Sequence, residues 1–194
     1  MKGKFIVFYG INNLGKTTQA EILVDKIKAE GKNAEYLKYP VYDLEPSGKI
    51  LNNYLREGNR HDLGPREAQI IYTLNRMQYE SELIKKLENG INIIAEDYTG
   101  TGLAWGIGAD VDENFLKYAN SSLLKEDVSF LFDGDRFMNS VEKNHRHEEN
   151  DDLAIKVREI HKRLGEELGW IKINANDSIE KISAIIWESV KNNI

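Results

Sequence analysis

Short apolar runs alternate along the chain with longer stretches whose apolar residues recur at helical spacing. The runs are rich in Ile, Val, Phe and Tyr, which is typical of buried parallel strands. They predict strands at residues 4–9, 34–39, 91–96, 128–132 and 170–173. Strands that alternate with helices favour an α/β fold with a mainly parallel sheet.

The predicted helices lie between these runs and after the last one. They cover residues 16–30, 47–57, 65–89, 152–168 and 178–192. Gly31 stands where a left-handed cap is expected to end the first helix, and Ser178 is placed to cap the start of the last. In the long third helix, the apolar residues predict a buried stripe of Ile71, Leu74, Leu83, Ile84 and Leu87.

Composition narrows the class of protein. The 194 residues include 26 Lys and Arg against 32 Asp and Glu, a formal charge of −6, which argues against a basic nucleic-acid binder. The length and the 41% hydrophobic content predict a single domain with a sizeable core. The absence of Cys excludes disulfides, thiolate metal sites and Cys nucleophiles. Because a Cys-free chain suits a reducing cytosol and no apolar run is long enough to span a membrane, we expect a cytoplasmic protein.

The sharpest motif is Gly-Ile-Asn-Asn-Leu-Gly-Lys-Thr at residues 10–17, which fits GxxxxGK[ST] between a predicted strand and a predicted helix. In such a phosphate loop, backbone N–H groups face a polyphosphate, Lys16 neutralises the β and γ groups, and the Thr17 hydroxyl can bind Mg²⁺. The alternative is a glycine-rich turn that meets the motif by accident. We expect a solvent-facing Lys16, and the predicted contacts with Mg-ATP are Gly10, Asn12, Asn13, Gly15, Lys16, Thr17 and Thr18.

Two acids end the third predicted strand. Glu96 and Asp97 come at the carboxyl edge of the sheet, where open α/β folds bind their ligands. We expect one of the two carboxylates to face Mg²⁺ and to hold the water shell of the ion, and the predicted metal residues are Thr17 and Glu96. The alternative is that both acids face solvent at the strand end.

Together with these motifs, several further segments resemble thymidylate kinases, the P-loop nucleoside monophosphate kinases that phosphorylate dTMP. The residues that carry the resemblance are Gly-Lys-Thr-Thr-Gln at 15–19, Tyr39-Pro40 with Ser47-Gly48-Lys49, Pro65-Arg66, Tyr72-Thr73-Leu74-Asn75-Arg76, Thr101-Gly102-Leu103-Ala104-Trp105 and the segment 173–180. They occur in the family's order over essentially the whole chain.

The resemblance implies a P-loop NTPase three-layer fold, in which a five-stranded parallel sheet carries helices on both faces. It implies transfer of the ATP γ-phosphoryl group to dTMP, with ATP and Mg²⁺ as cofactors, small nucleotides as partners rather than nucleic acid polymers or membranes, and a homodimer. The catalytic residues implied are Lys16, Arg76, Glu96 and Asp97. The substrate-binding residues implied are Asn12, Lys38, Pro40, Tyr42, Arg66, Gln69, Tyr72, Arg76, Tyr98 and Gly102.

Tyr72 and Arg76 receive the most specific roles from the resemblance. An aromatic ring can stack on a pyrimidine, and an Arg four residues later lies on the same helix face, where it can reach base or phosphate oxygens. The alternative for Tyr72 is a core aromatic residue. Arg66 and Gln69 flank this face, and a solvated charge is the alternative for Arg66.

Three positions depart from the family's pattern. The Asp usual in the phosphate loop is Asn12, the Arg usual after the strand-end acid is Asp97, and the Arg two residues beyond the Tyr39-Pro40 pair is Tyr42. Lys38 is the nearest retained positive charge. Because phosphoryl transfer depends on neutralising charge, these departures lead us to expect slow turnover with near-normal nucleotide affinity.

The least apolar stretch, residues 142–152, predicts a mobile surface loop within a lid segment of about 136–152. Bacterial relatives often carry an Arg in the lid, and Lys143 and Arg146 are the candidates here, with a solvated loop as the alternative. His145, His147 and Glu148 do not form a convincing metal site, because alternate residues of a flexible loop rarely converge and Arg146 repels a cation.

Two other functions compete with the kinase. Residues 97–100 spell the DxxG of GTPase switches, but the guanine-reading NKxD is absent. A catalytically weak relative that acts as a nucleotide sensor, or a kinase of another deoxynucleotide, would also fit the missing arginines.

Overall fold

The computed structural model describes residues 2–135 and 151–194. Its strands are β1 (Phe5–Tyr9), β2 (Ala34–Lys38), β3 (Asn92–Glu96), β4 (Val128–Asp133) and β5 (Ile171–Asn174). Its helices are α1 (Lys16–Ala29), α2 (Ser47–Arg56), α3 (Pro65–Glu88), α4 (Thr99–Gly108), α5 (Glu113–Ala119), α6 (Asp151–Leu168) and α7 (Ile179–Val190).

The five strands form one parallel sheet in the order β2-β3-β1-β4-β5. The predicted α/β fold and all five predicted strands are therefore confirmed, with ends that differ by at most one residue. Every residue of β1 is buried, and Phe8 meets the rings of Phe130 and Phe132 from the neighbouring strand. Because all strands run the same way, their carboxyl ends meet at one edge.

Both predicted helix caps are present. Gly31 follows α1 with a φ of 75°, and its N–H donates to the Lys28 carbonyl at 2.9 Å. The Ser178 hydroxyl accepts from the Lys181 N–H at 3.3 Å and so caps α7.

Helices α4 and α5 were not predicted from the sequence. Helix α4 reads TGTGLAWGIG, and four glycines in ten residues disfavour a helix by intrinsic propensity. Tertiary packing reverses that preference, because a Cβ at Gly100 would lie 2.5 Å from Trp170 and one at Gly108 would lie 2.6 Å from Val157. The glycines therefore allow close contact with neighbouring elements, and the helix is stabilised from outside.

The stripe predicted for α3 is wrong in its first half. Leu83 and Leu87 are buried as predicted, but the buried residues nearer the start of the helix are mainly polar: Ala68, Gln69, Thr73, Asn75 and Arg76. This half of α3 faces a polar cleft rather than the apolar core. Within the described residues, no helix is long and apolar enough to cross a membrane.

Candidate active site

A cleft of about 510 Å³ opens at the carboxyl edge of the sheet. Its walls come from the loop after β1, the ends of β2 and β3, the first half of α3, and α4. It brings together most of the residues singled out from the sequence: Asn12, Asn13, Gly15, Lys16, Thr17, Thr18, Lys38, Pro40, Tyr42, Gln69, Tyr72, Arg76, Glu96, Asp97 and Gly102.

Other predicted residues lie elsewhere. Arg66 borders a separate hollow, where its guanidinium lies 4.6 Å from the centre of the Phe115 ring. Tyr98 is fully buried and packs edge-on against Phe5, so it does not line the cleft. Gly10 is the first residue of the phosphate loop but does not line the cleft, and the lid candidates Lys143 and Arg146 lie outside the described residues.

The loop between β1 and α1 has the backbone shape of a phosphate-binding turn. Gly10 has a φ of 130°, and a Cβ there would lie 2.5 Å from the Phe132 carbonyl oxygen. Gly15 and Asn13 are also left-handed, with φ values of 77° and 63°. These angles curl the chain so that it enters α1 at Lys16.

Lys16 does not face solvent, which corrects the expectation from the sequence. Its side chain is 5% exposed, and its ammonium donates to the carbonyls of Gly10 at 3.0 Å and Ile11 at 2.9 Å. The same ammonium lies 3.6 Å from the Asp97 carboxylate. Three oxygens therefore hold the charge inside the loop.

Asp97 points toward the phosphate loop because of its own backbone. Its φ is 64°, a left-handed conformation that is uncommon for residues other than Gly, Asn and Asp. The Thr101 hydroxyl donates to its carboxylate at 3.2 Å and fixes that direction. The result is a carboxylate that acts as a counter-ion to Lys16.

Glu96 is 2% exposed and accepts a hydrogen bond from the Tyr36 hydroxyl. The Thr17 side chain lies near the same hydroxyl, where it acts to lower the pKa of Tyr36. Burial, followed by the charge of Glu96, raises the pKa of Tyr36 well above its usual value, so the phenol stays protonated. The carboxylate and hydroxyl oxygens of Glu96 and Thr17 therefore lie around one point, a donor set that suits Mg²⁺.

Arg76 provides a buried positive charge on the far side of the cleft. It is 2% exposed, and Nη1 donates to the Asn120 side-chain oxygen at 2.9 Å. A Cβ at Gly102 would collide with Nη2, so only glycine leaves room for this guanidinium. Within residues 2–135 and 151–194, Arg76 forms no ion pair with a carboxylate, and its Nε has no hydrogen-bond partner. Burial lowers the pKa of Arg76 from its usual value, although it remains charged.

Tyr72 lies one helical turn before Arg76 and is half-buried. It packs beside Tyr42 against a small apolar cluster of Tyr54, Leu55 and Ala68. Burial raises the pKa of Tyr72 well above its usual value. One face of the cleft thus offers an aromatic ring next to a buried guanidinium.

The structure adds cleft residues that received no role from the sequence. Arg56 ends α2, and its Nη1 donates to the Tyr42 hydroxyl at 2.6 Å. Trp105 is the last residue of the segment 101–105 that resembles the family. Its aromatic side chain was the only feature of the sequence that could have indicated a place in the cleft. A single Arg at the end of a surface helix carries no sequence signal, because its contact with the cleft depends on how α2 packs on the loop after β2.

Comparisons with known proteins identify one family that this chain resembles over most of its length. A sequence model of the family described as thymidylate kinase matches residues 8–186. The chain is 28% identical to the thymidylate kinase of Plasmodium falciparum, over 93% of this chain and 86% of that protein. It is 25% identical to the human thymidylate kinase, again over 93% and 86%. The solved structure of thymidylate kinase from Candida albicans has the same fold, with a TM-score of 0.85 over 99% of this chain and 92% of that one at 19% identity.

Proposed function

The chain belongs to the thymidylate kinase family, and on that premise we propose that it transfers the γ-phosphoryl group of ATP to the 5′-phosphate of dTMP. The observation that carries this proposal is a single cleft with the phosphate loop at one end and Tyr72 with Arg76 at the other. Donor and acceptor would then bind in one cavity with their phosphates facing each other. This arrangement favours an ATP-dependent nucleoside monophosphate kinase over a GTPase switch.

The acceptor base would lie against the Tyr72 ring. A stacked ring accepts any base, so discrimination among bases needs a polar contact at the base edge. Arg76 supplies that contact, because its guanidinium is buried beside Tyr72 and carries an Nε without a partner. A donor of this kind favours bases with carbonyl oxygens, such as thymine.

The donor phosphates would lie on the phosphate loop. Lys16 would exchange the Gly10 and Ile11 carbonyls and the Asp97 carboxylate for phosphate oxygens. In the transfer, an oxygen of the dTMP phosphate bonds to the γ-phosphorus while the bond from that phosphorus to the β–γ bridging oxygen breaks. The acceptor oxygen is already anionic, so the site must position and neutralise charge rather than remove a proton.

Thr17 and Glu96 are the residues that would hold Mg²⁺, because both line the cleft and both side chains lie beside the Tyr36 hydroxyl. When bound, the ion neutralises negative charge on the β- and γ-phosphates. The Tyr36 phenol keeps the Glu96 carboxylate turned toward Thr17.

We also propose that the protein is a cytoplasmic homodimer that contacts its partner copy through α3. Ile70 and Met77 are 47% and 42% exposed and lie two helical turns apart, on one face of this helix. Exposed apolar residues on one face of a helix lose contact with water when that face packs against a second helix. A sedimentation mass of one chain at micromolar concentration would contradict the dimer. The cytoplasmic location rests on the absence of cysteine.

The function is tested by measuring ADP formation with a panel of nucleoside monophosphates. We expect activity with dTMP to exceed that with dCMP, dAMP and dGMP, and we expect Lys16→Ala to abolish it. Lys28→Ala, an exposed residue at the other end of α1, is the matched control. Undiminished transfer to dTMP by Lys16→Ala would refute the assignment of the phosphate loop.

A further inference from the structure

The cleft extends past the phosphate loop to the chain that follows β5. Its lining there consists of Ala175, Asp177, Ile179 and Ile182. The strand order places β5 at one edge of the sheet, β2 at the other, and β1 with the phosphate loop between them. The proposed acceptor residues lie on α3, which packs against β3 on the β2 side. A nucleoside whose phosphates occupy the loop therefore has the β5 side of the cleft left to it.

Ile179 gives this side of the cleft an exposed apolar surface. It begins α7 and is 52% exposed, whereas Ile182, one turn later, is 4% exposed and belongs to the core. An apolar side chain on a cleft wall loses contact with water when a flat ring packs on it. The Ile179 side chain is therefore suited to contact the base of a bound nucleotide.

The chain that leads from β5 into α7 is held at its start by backbone hydrogen bonds. The Ala175 N–H donates to the Asp133 carbonyl of β4 at 2.9 Å, and the Asp177 N–H donates to the Asn174 carbonyl at 3.1 Å. These bonds fix the segment relative to the sheet. They do not reach Ile179, whose distance from the phosphate loop depends on a contact with α1.

Gln19 supplies that contact. It lies in the first turn of α1, is 3% exposed and lines the cleft. Its Nε2 donates to the Ile179 carbonyl at 3.0 Å, and within the described residues its Oε1 is buried without a hydrogen-bond partner. A buried acceptor without a partner costs stability, and an apolar side chain of the same length would avoid that cost. Stability alone therefore does not explain an amide here, whereas the bond to Ile179 does.

We propose that Gln19 is a positioning residue for the donor nucleotide. It fixes the Ile179 backbone relative to the phosphate loop, so that the Ile179 side chain packs on the donor base while the phosphates occupy the loop. Gln19 acts through Ile179 and touches no reacting atom. The assignment rests on the proposed function and deepens it, because it places the donor base on the β5 side of the cleft.

The test compares binding of ATP with binding of inorganic tripolyphosphate, which has the phosphate chain without the nucleoside. Calorimetric titrations of the full chain with excess Mg²⁺ would use Gln19→Met, Ile179→Ala and the variant with both changes. Thermal melting of each variant shows whether the fold is intact.

Two control variants match these changes. Gln78→Met is the control for Gln19, because Gln78 also donates from Nε2 to a carbonyl and, within the described residues, has a buried Oε1 without a partner. Gln78 lies on α3 and does not line the cleft. Ile185→Ala is the control for Ile179, because Ile185 is 37% exposed on α7 and lies outside the cleft.

We expect Gln19→Met to weaken ATP binding about 3- to 10-fold, and Ile179→Ala to weaken it about 5- to 20-fold. Both should bind tripolyphosphate as the parent does, and the controls should match the parent for both ligands. The double variant should bind ATP as Ile179→Ala does, because Gln19 acts through Ile179. Gln19→Met should melt at the temperature of the parent, since it also removes the unpartnered acceptor.

Equal losses for ATP and tripolyphosphate would overturn the proposal, because Gln19 would then act on the phosphate loop itself. Additive losses in the double variant, or unchanged ATP binding by Gln19→Met, would overturn it as well. These titrations need no acceptor nucleotide. They therefore decide the role of Gln19 separately from the kinase assay, in which a parent that forms no ADP with any monophosphate would refute the proposed function.

Discussion

The ion pair between Lys16 and Asp97 predicts that the free phosphate loop is partly self-inhibited. Lys16 must leave Asp97 to reach a phosphate, so part of the ATP binding energy is spent on breaking the pair. Asp97→Asn removes the charge with the smallest change of shape. Asn also tolerates the φ of 64° and can still accept from the Thr101 hydroxyl.

The size of the effect follows from the geometry. Unit charges 3.6 Å apart attract by about 1 kcal/mol at the dielectric constant of water and by about 5 kcal/mol at an effective value near 20. The side chains of Lys16 and Asp97 are 5% and 15% exposed. We therefore place the attraction between them within these two limits. Even the lower figure corresponds to about 5-fold in affinity. We therefore expect Asp97→Asn to bind ATP at least 5-fold more tightly in the presence of EDTA.

The assay is a calorimetric titration of ATP with EDTA and again with excess Mg²⁺. Thr101→Val is the control, because it removes the hydrogen bond to Asp97 and keeps the charge. Unchanged or weaker ATP binding in EDTA would refute the counter-ion argument. Tighter binding in EDTA combined with weaker binding in Mg²⁺ would show that Asp97 also serves the metal.

The same pair bears on Asp97→Arg. Two outcomes compete for this variant: restored charge neutralisation with faster turnover, or loss of a metal ligand with slower turnover. The structure favours slower turnover of Asp97→Arg, because an Arg at this position would place a second positive charge beside Lys16. Steady-state kinetics that show a higher kcat would contradict this reasoning.

Three further predictions concern other residues. Tyr72→Ala should weaken dTMP binding about 5- to 150-fold with little effect on ATP, and equal losses in calorimetry would indicate a core residue instead. Asn120→Leu should raise the KM for dTMP about 10-fold with little change in kcat, because Arg76 loses the oxygen that orients it. Asn120→Asp is the control, because it should retain the contact with Arg76. A loss of kcat without a change in KM would contradict this role for Asn120. Burial, then the charge of Lys16, lowers the pKa of His161 to about 4. Because the unfolded chain takes up this proton first, near pH 6.5, the free energy of unfolding should fall by about 3 kcal/mol between pH 6.5 and 4. Urea titrations should show that His161→Leu removes this part of the slope, and an unchanged slope would place the titrating group elsewhere.

The sequence alone determined the features that depend on neighbours along the chain. Apolar runs specified the five strands because a strand buried on both faces has few alternatives. The phosphate loop could be predicted because its backbone needs left-handed angles at Gly10 and Gly15, and glycine adopts these angles readily. Gly31 and Ser178 marked helix ends for the same local reason.

Tertiary structure decided how side chains distant in sequence meet. Helix α4 exists although its glycines disfavour it, because Trp170 and Val157 pack against it from other elements. The exposed Lys16 expected from the motif became a buried ion pair once β3 brought Asp97 beside the loop. Arg56 joined the cleft only because α2 rests on the loop that holds Tyr42. Hydrophobic periodicity reports the burial of a helix or strand, but it carries no information about which polar side chains from different elements share one cavity.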